Sequence, residues 1–140
     1  MRQSLLGALS TGLLLCLAHG YLPELALVAP VPLLWVLPRA SRREAFYAGL
    51  VAGLGEGCVL AGTWHAHPLI ALGLCLFCGL EVLLFALAWR VGGLHQGPWG
   101  PPAAGALWAL AEWCGASTPF SLPAILGDTQ HRGPFLALAR

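Results

Sequence analysis

Residues Pro68–Trp89, PLIALGLCLFCGLEVLLFALAW, form a long and almost uninterrupted apolar run that is typical of a membrane-spanning helix. As an α-helix rising about 1.5 Å per residue, it would be about 33 Å long, enough to cross a hydrocarbon core of about 30 Å. A soluble protein would have to surround such a run with polar surface. This chain of 140 residues is 58% hydrophobic and only 9% charged, so its composition favours a membrane protein.

Four further apolar blocks flank this stretch, separated by short joints that carry Arg or Pro. The second block contains Pro30 and Pro32, which kink a helix, so that span is expected to need packing against its neighbours. An alternative for the first block is the apolar part of a signal peptide, but a retained helix is favoured because more membrane segments follow. The sequence therefore predicts an all-α fold, a polytopic membrane bundle of about five transmembrane helices, with a mixed external tail over 115–140. The predicted helices are 5–18, 22–37, 45–66, 68–89 and 101–114.

The basic residues predict the orientation of these helices. All seven basic residues are Arg, and most lie in the joints or at the ends of the chain. If all five blocks span the membrane, the following arginines lie on one side of it: Arg2, Arg39, Arg42, Arg43 and Arg90. Cytoplasmic loops carry the excess of basic residues, so the N-terminus is predicted to be cytoplasmic.

Several other functions find no support in the sequence. No basic run with interleaved aromatic residues occurs, so no nucleic-acid partner is expected. No glycine-rich phosphate loop occurs, and no cofactor is expected. Cys75 and Cys78 have the spacing of half a zinc site, but no second pair follows, and His65 and His67 are expected at a different depth. No metal site is therefore predicted, and the cysteines are interpreted as small packing residues.

Three acidic residues lie inside predicted spans: Glu56, Glu81 and Glu112. A charge at the bilayer centre costs at least about 2.5 kcal/mol, so such residues usually face protein or water and are candidates for function. One interpretation is a proton or cation path in a small ion-coupled transporter. The favoured interpretation is a set of protonated or hydrogen-bonded acids that fasten helices together, because five helices are few for a transporter and no inverted repeat is visible.

A stripe of small residues on the third block supports an inward position for Glu56. Gly49, Gly53 and Gly57 recur every four residues, a spacing that lets two membrane helices approach closely. Glu56 follows Gly53 by three residues and therefore lies beside this stripe. We expect Glu56 to lie between helices rather than against lipid.

Short motifs in a fixed order carry a resemblance to a known family. Upstream they are Ala29-Pro30-Val31-Pro32-Leu33-Leu34, Arg42-Arg43-Glu44-Ala45-Phe46 with Gly49, and the glycine-rich run Gly53–Trp64. Downstream they are Ala106-Leu107-Trp108, Glu112-Trp113, Leu122-Pro123, Gly127-Asp128-Thr129-Gln130 and Gly133-Pro134. In this order they resemble the membrane region of bacterial apolipoprotein N-acyltransferases, over nearly the whole chain.

The chain departs from the family pattern at three motifs. The family's F-P-W turn reads Leu122-Pro123-Ala124, and its G-Y-S-Q segment reads Gly127-Asp128-Thr129-Gln130. The Arg that usually follows the E-[FW] pair is replaced by Cys114-Gly115. The positions expected to matter, as lipid-adjacent or helix-packing residues, are Glu112, Trp108, Pro123, Gln130, Glu56 and Glu81.

The resemblance implies a role in lipoprotein maturation at the bacterial inner (plasma) membrane. The family reaction transfers an acyl chain from a phospholipid to the N-terminal amine of a lipidated Cys. Its Glu–Lys–Cys triad lies in an external nitrilase-like domain that is expected to be absent here, since the chain has no Lys. No catalytic residue is therefore predicted, and the chain is expected to be a truncated or separate membrane part. Expected partners are membrane phospholipid, a lipoprotein substrate or a separate nitrilase-like catalytic chain; a membrane scaffold is a further alternative.

Overall fold

The computed structural model describes residues 1–20, 22–63, 67–93 and 95–117, and every regular element in these ranges is a helix. This confirms the predicted all-α class for the described part of the chain. Short 3₁₀ turns at Pro23–Leu27 and Leu37–Arg39 flank the second helix. The five α-helices are α1 (Arg2–Gly20), α2 (Val31–Val36), α3 (Arg42–Thr63), α4 (Pro68–Val91) and α5 (Gly100–Ala116).

Helix α4 contains the long apolar run Pro68–Trp89. It has 24 residues and is about 36 Å long at the α-helical rise. Within the described residues it is the one helix that is both long and apolar enough to cross a membrane, while α1 contributes a shorter apolar run. Pro68 occupies its first turn, where its missing N–H costs nothing. Length and composition thus support one membrane span directly.

Helices α3 and α4 form a closely packed antiparallel pair. A Cβ atom added to Gly49 would lie 2.8 Å from the Cα atom of Leu83, and one added to Gly53 would overlap the carbonyl group of Cys78. Gly57 meets the backbone of Cys75 in the same way. The glycine stripe predicted from sequence therefore does hold the two helix backbones together.

The segment predicted as a helix over 22–37 differs from that prediction. It is broken into the 3₁₀ turn Pro23–Leu27, the six-residue helix α2 and the 3₁₀ turn Leu37–Arg39. Proline is the physical reason, because each ring removes an N–H donor and clashes with the preceding turn. The segment nevertheless runs back along α1, since the Gly7 position touches Val36 and Leu15 packs with Ala29.

This antiparallel return places the arginines at one end of the bundle. The Met1 amine pairs with Glu44, and Arg90 Nε donates to the carbonyl oxygen of Ala40 at 2.6 Å. The first turn of α1, the start of α3 and the last turn of α4 therefore lie side by side. We call this the basic end; it contains the five arginines grouped by sequence, at positions 2, 39, 42, 43 and 90.

Candidate functional site

The three acids predicted inside the membrane meet at one point in the fold. Glu56 of α3, Glu81 of α4 and Glu112 of α5 line a single small cavity of about 10 Å³. A cavity of that size accommodates about one water molecule. The site is therefore a small pocket lined by three acids at the junction of three helices.

Glu56 is the most enclosed of these acids. Its side chain is 1% exposed, and its Oε1 atom has no hydrogen-bond partner among the described residues. A buried carboxylate without a partner is so costly that proteins pair it or keep it neutral. Since Glu81 and Glu112 are acids as well, the cluster is neutral only when each of the three carboxyl groups carries a proton.

Trp108 positions Glu112 at the edge of this cavity. The indole Nε1–H donates to Glu112 Oε1 at 2.8 Å, one helical turn away on α5. The indole ring also contacts the ring of Phe85 of α4 in a T-shaped arrangement, with ring centroids 4.9 Å apart. Trp108 thus joins the packing of α5 on α4 to the orientation of the acid.

A groove between α4 and α5 opens beside the acid cluster. Its volume is about 300 Å³, at the lower end of the range for small-molecule sites of about 300–1,000 Å³. Its walls are almost entirely aliphatic or aromatic, and Glu81 and Ala111 line both the groove and the small cavity. The apolar lining suits a hydrocarbon chain, and the polar group at its floor lies next to Glu56 and Glu112. Its other lining residues are Phe77, Leu80, Leu84, Phe85, Ala88, Leu107, Leu110 and Cys114.

The structure brings together four of the six residues singled out by sequence: Glu56, Glu81, Trp108 and Glu112. Pro123 and Gln130 lie outside the described residues, as does His65 of the His pair. In the described part of the chain, no group of three or more His, Cys, Asp or Glu side chains is placed to hold a metal ion.

Sequence reasoning missed the polar residue that steadies the broken segment. Thr11 of α1 is fully buried, and its Oγ1 accepts the backbone N–H of Leu33 at 3.1 Å. Leu33 lies in the first turn of α2, where backbone N–H groups have no partner within the helix. A Thr within the apolar run of α1 could have indicated a buried hydrogen bond. Its partner could not be predicted, because Leu33 is 22 residues away in sequence.

Sequence reasoning also missed the cap of α3. Ser41 Oγ accepts the backbone N–H of Glu44, and Glu44 Oε2 accepts that of Ser41, which is a capping box. The Met1 amine and, after it, the Ser41 groups lower the pKa of Glu44 to about 2. The signal was the Ser41-x-x-Glu44 spacing at the start of the third block.

These features define a class of protein: an all-α domain with one helix able to cross a membrane and acids enclosed between its helices. The chain belongs to the family of the apolipoprotein N-acyltransferase N-terminal domain, which it matches over residues 11–140. This confirms the resemblance seen in the motifs, and with α4 it indicates a membrane protein. A search of curated proteins and a search of solved structures each found no match.

Proposed function

We propose that this chain is the membrane part of an apolipoprotein N-acyltransferase, which anchors the reaction in the bacterial inner membrane and gives phospholipid access to it. The observation that carries this proposal is the family match over residues 11–140. On this proposal the chain is a multi-pass domain with a cytoplasmic N-terminus. Its substrates are those of the family: a phospholipid acyl donor and a lipoprotein with a lipidated N-terminal Cys.

The α4–α5 groove is the surface on which a phospholipid acyl chain would lie. Leu80, Leu84 and Leu110 on its walls are all exposed, so the groove opens sideways towards lipid. An acyl chain there would replace no protein hydrogen bonds, because its neighbours are hydrocarbon. Glu81 at the floor would set the depth to which the chain can slide.

The chemical step needs groups that this chain does not supply. The family triad uses Cys as the nucleophile, Glu as the general base and Lys to steady the developing oxyanion, and the 140 residues contain no Lys. The proposal therefore assigns catalysis to a nitrilase-like domain outside these residues. We expect the purified chain to transfer no acyl group to a lipopeptide; thiol-dependent acylation by this chain would refute the assignment.

The groove can be tested with a phospholipid that carries a photoreactive group in its acyl chain. Crosslinking is expected to concentrate on α4 and α5 residues that line the groove. Leu84→Trp fills the groove and should reduce crosslinking several-fold. Leu72→Trp is the matched control, because Leu72 lies on α4 outside the groove and both leucines are 57% exposed. Equal crosslinking in the two variants would contradict lipid access at this groove.

A second candidate function is supported by the convergence of the three acids. A small ion-coupled transporter would use Glu56, Glu81 and Glu112 to carry a proton or cation through the bundle. Glu112→Gln would then abolish proton flux into vesicles that contain the protein. On the acyltransferase proposal the same variant changes folding or assembly, and vesicles show no flux with either protein.

A further inference from the structure

A large cleft at the basic end is not used by the proposed function. It has a volume of about 900 Å³ and lies between the first turns of α1 and the broken segment around α2. Its base is formed where Gly7 packs against Val36, because a Cβ at Gly7 would lie 2.7 Å from a Val36 methyl group. None of its lining residues belongs to the α4–α5 groove. The cleft is therefore a separate site on another face of the bundle.

Two arginines give this cleft a positive charge. Arg2 and Arg39 both line it, and neither forms an ion pair within the described part of the chain. The one acid in its lining, Glu44, is already paired with the Met1 amine and tied to Ser41. The guanidinium groups of Arg2 and Arg39 are thus left to attract an anion from outside the chain.

Besides the polar residues Gln3, Ser4 and Ser10, the cleft is lined by apolar side chains that suit the membrane interface. Trp35 is 71% exposed, and the Arg39 guanidinium lies 5.7 Å from the centre of its ring. Arg39 Nη1 also donates to the backbone carbonyl oxygen of Trp35, which keeps the guanidinium group close to residue 35. Leu6 and Val31 supply exposed hydrocarbon on the opposite walls. Trp favours the boundary between the hydrocarbon core and the headgroups of a membrane. At that boundary a phospholipid presents both its phosphate and the start of its acyl chains.

We propose that this cleft binds an anionic phospholipid of the leaflet that faces the basic end. Arg2 and Arg39 contact its phosphate, Trp35 lies at the glycerol level, and an acyl chain follows Leu6 and Val31 towards the bundle. Arginine suits phosphate because its planar guanidinium donates two parallel hydrogen bonds. Basic pockets between membrane helices bind acidic headgroups for the same reason. The lipid bound here would be held in place in the cytoplasmic leaflet, since the basic end is predicted to face the cytoplasm.

The first experiment measures lipid retained by the purified full chain in native mass spectrometry. Phosphatidylglycerol and phosphatidylcholine are the probes, and inorganic phosphate is added as a competitor. Arg2→Gln with Arg39→Gln should lower phosphatidylglycerol binding by about tenfold or more, since each basic group near an acidic surface contributes about 1 kcal/mol. Arg42→Gln with Arg43→Gln removes the same charge from the basic end outside the cleft, and it should retain binding. Helix content by circular dichroism checks that both variants fold.

Three results would overturn the proposal. Equal loss of binding in the two double variants would mean general attraction to a basic surface. Equal retention of phosphatidylcholine and phosphatidylglycerol would remove the role of the anion. Displacement of the lipid by millimolar inorganic phosphate would identify a site for free phosphate instead.

A second experiment is independent of the arginines. Phosphatidylglycerol with brominated acyl chains quenches tryptophan fluorescence on contact. Trp35→Phe should remove a large part of that quenching. Trp99→Phe is the matched control, because Trp99 is 77% exposed beside the start of α5 and does not line the cleft. Equal changes in the two variants would mean that the lipid does not prefer the cleft.

Discussion

Gly53 shows how a single residue fixes the distance between two helices. Any side chain at this position would overlap the carbonyl group of Cys78, so α3 and α4 can touch only because Gly lacks a Cβ atom. Without a hydrophobic driving force in lipid, such close contact supplies much of the attraction between membrane helices. The neighbouring Glu56 is enclosed as a consequence, because the close approach leaves no room for lipid beside it.

Gly53→Ala is expected to destabilise the folded chain by about 1–3 kcal/mol, the usual cost of overpacking, because the obstacle is backbone and cannot rotate away. Thermal unfolding in detergent measures the change. Gly73→Ala is the matched control on α4, since a Cβ there would meet no atom within 4 Å. Equal midpoints for the two variants would show that the close contact at Gly53 does not support the fold.

Glu56→Gln is expected to keep or raise the unfolding midpoint. The amide has the shape of the carboxyl group, carries no charge and can donate to the oxygens of Glu81 and Glu112. Glu56→Ala should lower stability by about 2 kcal/mol, because it leaves a cavity at a site that is 1% exposed. The same unfolding assay compares the two. A loss with Gln as large as that with Ala would show that the carboxyl group itself is required.

At the scale of elements, the bundle depends on α1 as a partner for irregular backbone. A broken segment at membrane depth is tolerated only where other parts of the protein satisfy its polar groups. Thr11 of α1 does this for the N–H of Leu33, and Leu15 packs against Ala29 beside it. Helix α5 is held differently, through the Phe85–Trp108 contact and the acid cluster.

The register of α3 on α4 can be checked by oxidising the thiol pair Cys58 and Cys75, whose Sγ atoms are 3.6 Å apart. Molecular iodine should accept two electrons from the two thiols, giving one disulfide and two iodide ions, while the two thiol protons are released to the buffer. Mass spectrometry after maleimide labelling should then find two fewer maleimide adducts on the oxidised protein than on the reduced protein. Cys58→Ser should abolish this protection, whereas Cys16→Ser should leave it intact. Full labelling of the oxidised protein would contradict the register.

At the scale of the whole molecule, the five arginines of the described residues lie at one end of the bundle although they are far apart in sequence. Arg90 reaches Ala40 across 50 residues, and the Met1 amine reaches Glu44. Such an asymmetric distribution of charge sets the orientation of a membrane bundle. The further lipid site lies at this end, and the α4–α5 groove lies beside the acid cluster.

A reporter fused after Arg90 is expected to score as cytoplasmic, and one fused at His67 as external. The physical reason is that the basic end should stay in the cytoplasm, while the last turn of α3 and the first turn of α4 lie at the other end of this antiparallel pair. Alkaline phosphatase and a fluorescent protein are complementary reporters for the two sides. An external score after Arg90 would reverse the topology and move the lipid site to the outer leaflet.

The helical class, the helix that is long and apolar enough to cross a membrane, and the family could all be predicted from the sequence. These depend on local properties: apolar run length, glycine spacing and short motifs in order. Four predicted helices overlap α1, α3, α4 and α5, because helix formation also depends on these local properties. The break over 22–37 was signalled by its prolines, although the sequence could not say how the chain would continue through them.

The sequence does not show which distant groups meet, and that information comes from the three-dimensional packing of the helices. Glu56, Glu81 and Glu112 are 25 and 31 residues apart in sequence, and no local rule places them around one cavity. Contacts between residues distant in sequence also produce three other features: the hydrogen bond from Leu33 to Thr11, the α4–α5 groove and the cleft at the basic end. Each depends on how helices rotate and cross, and that is fixed by close packing between side chains far apart along the chain.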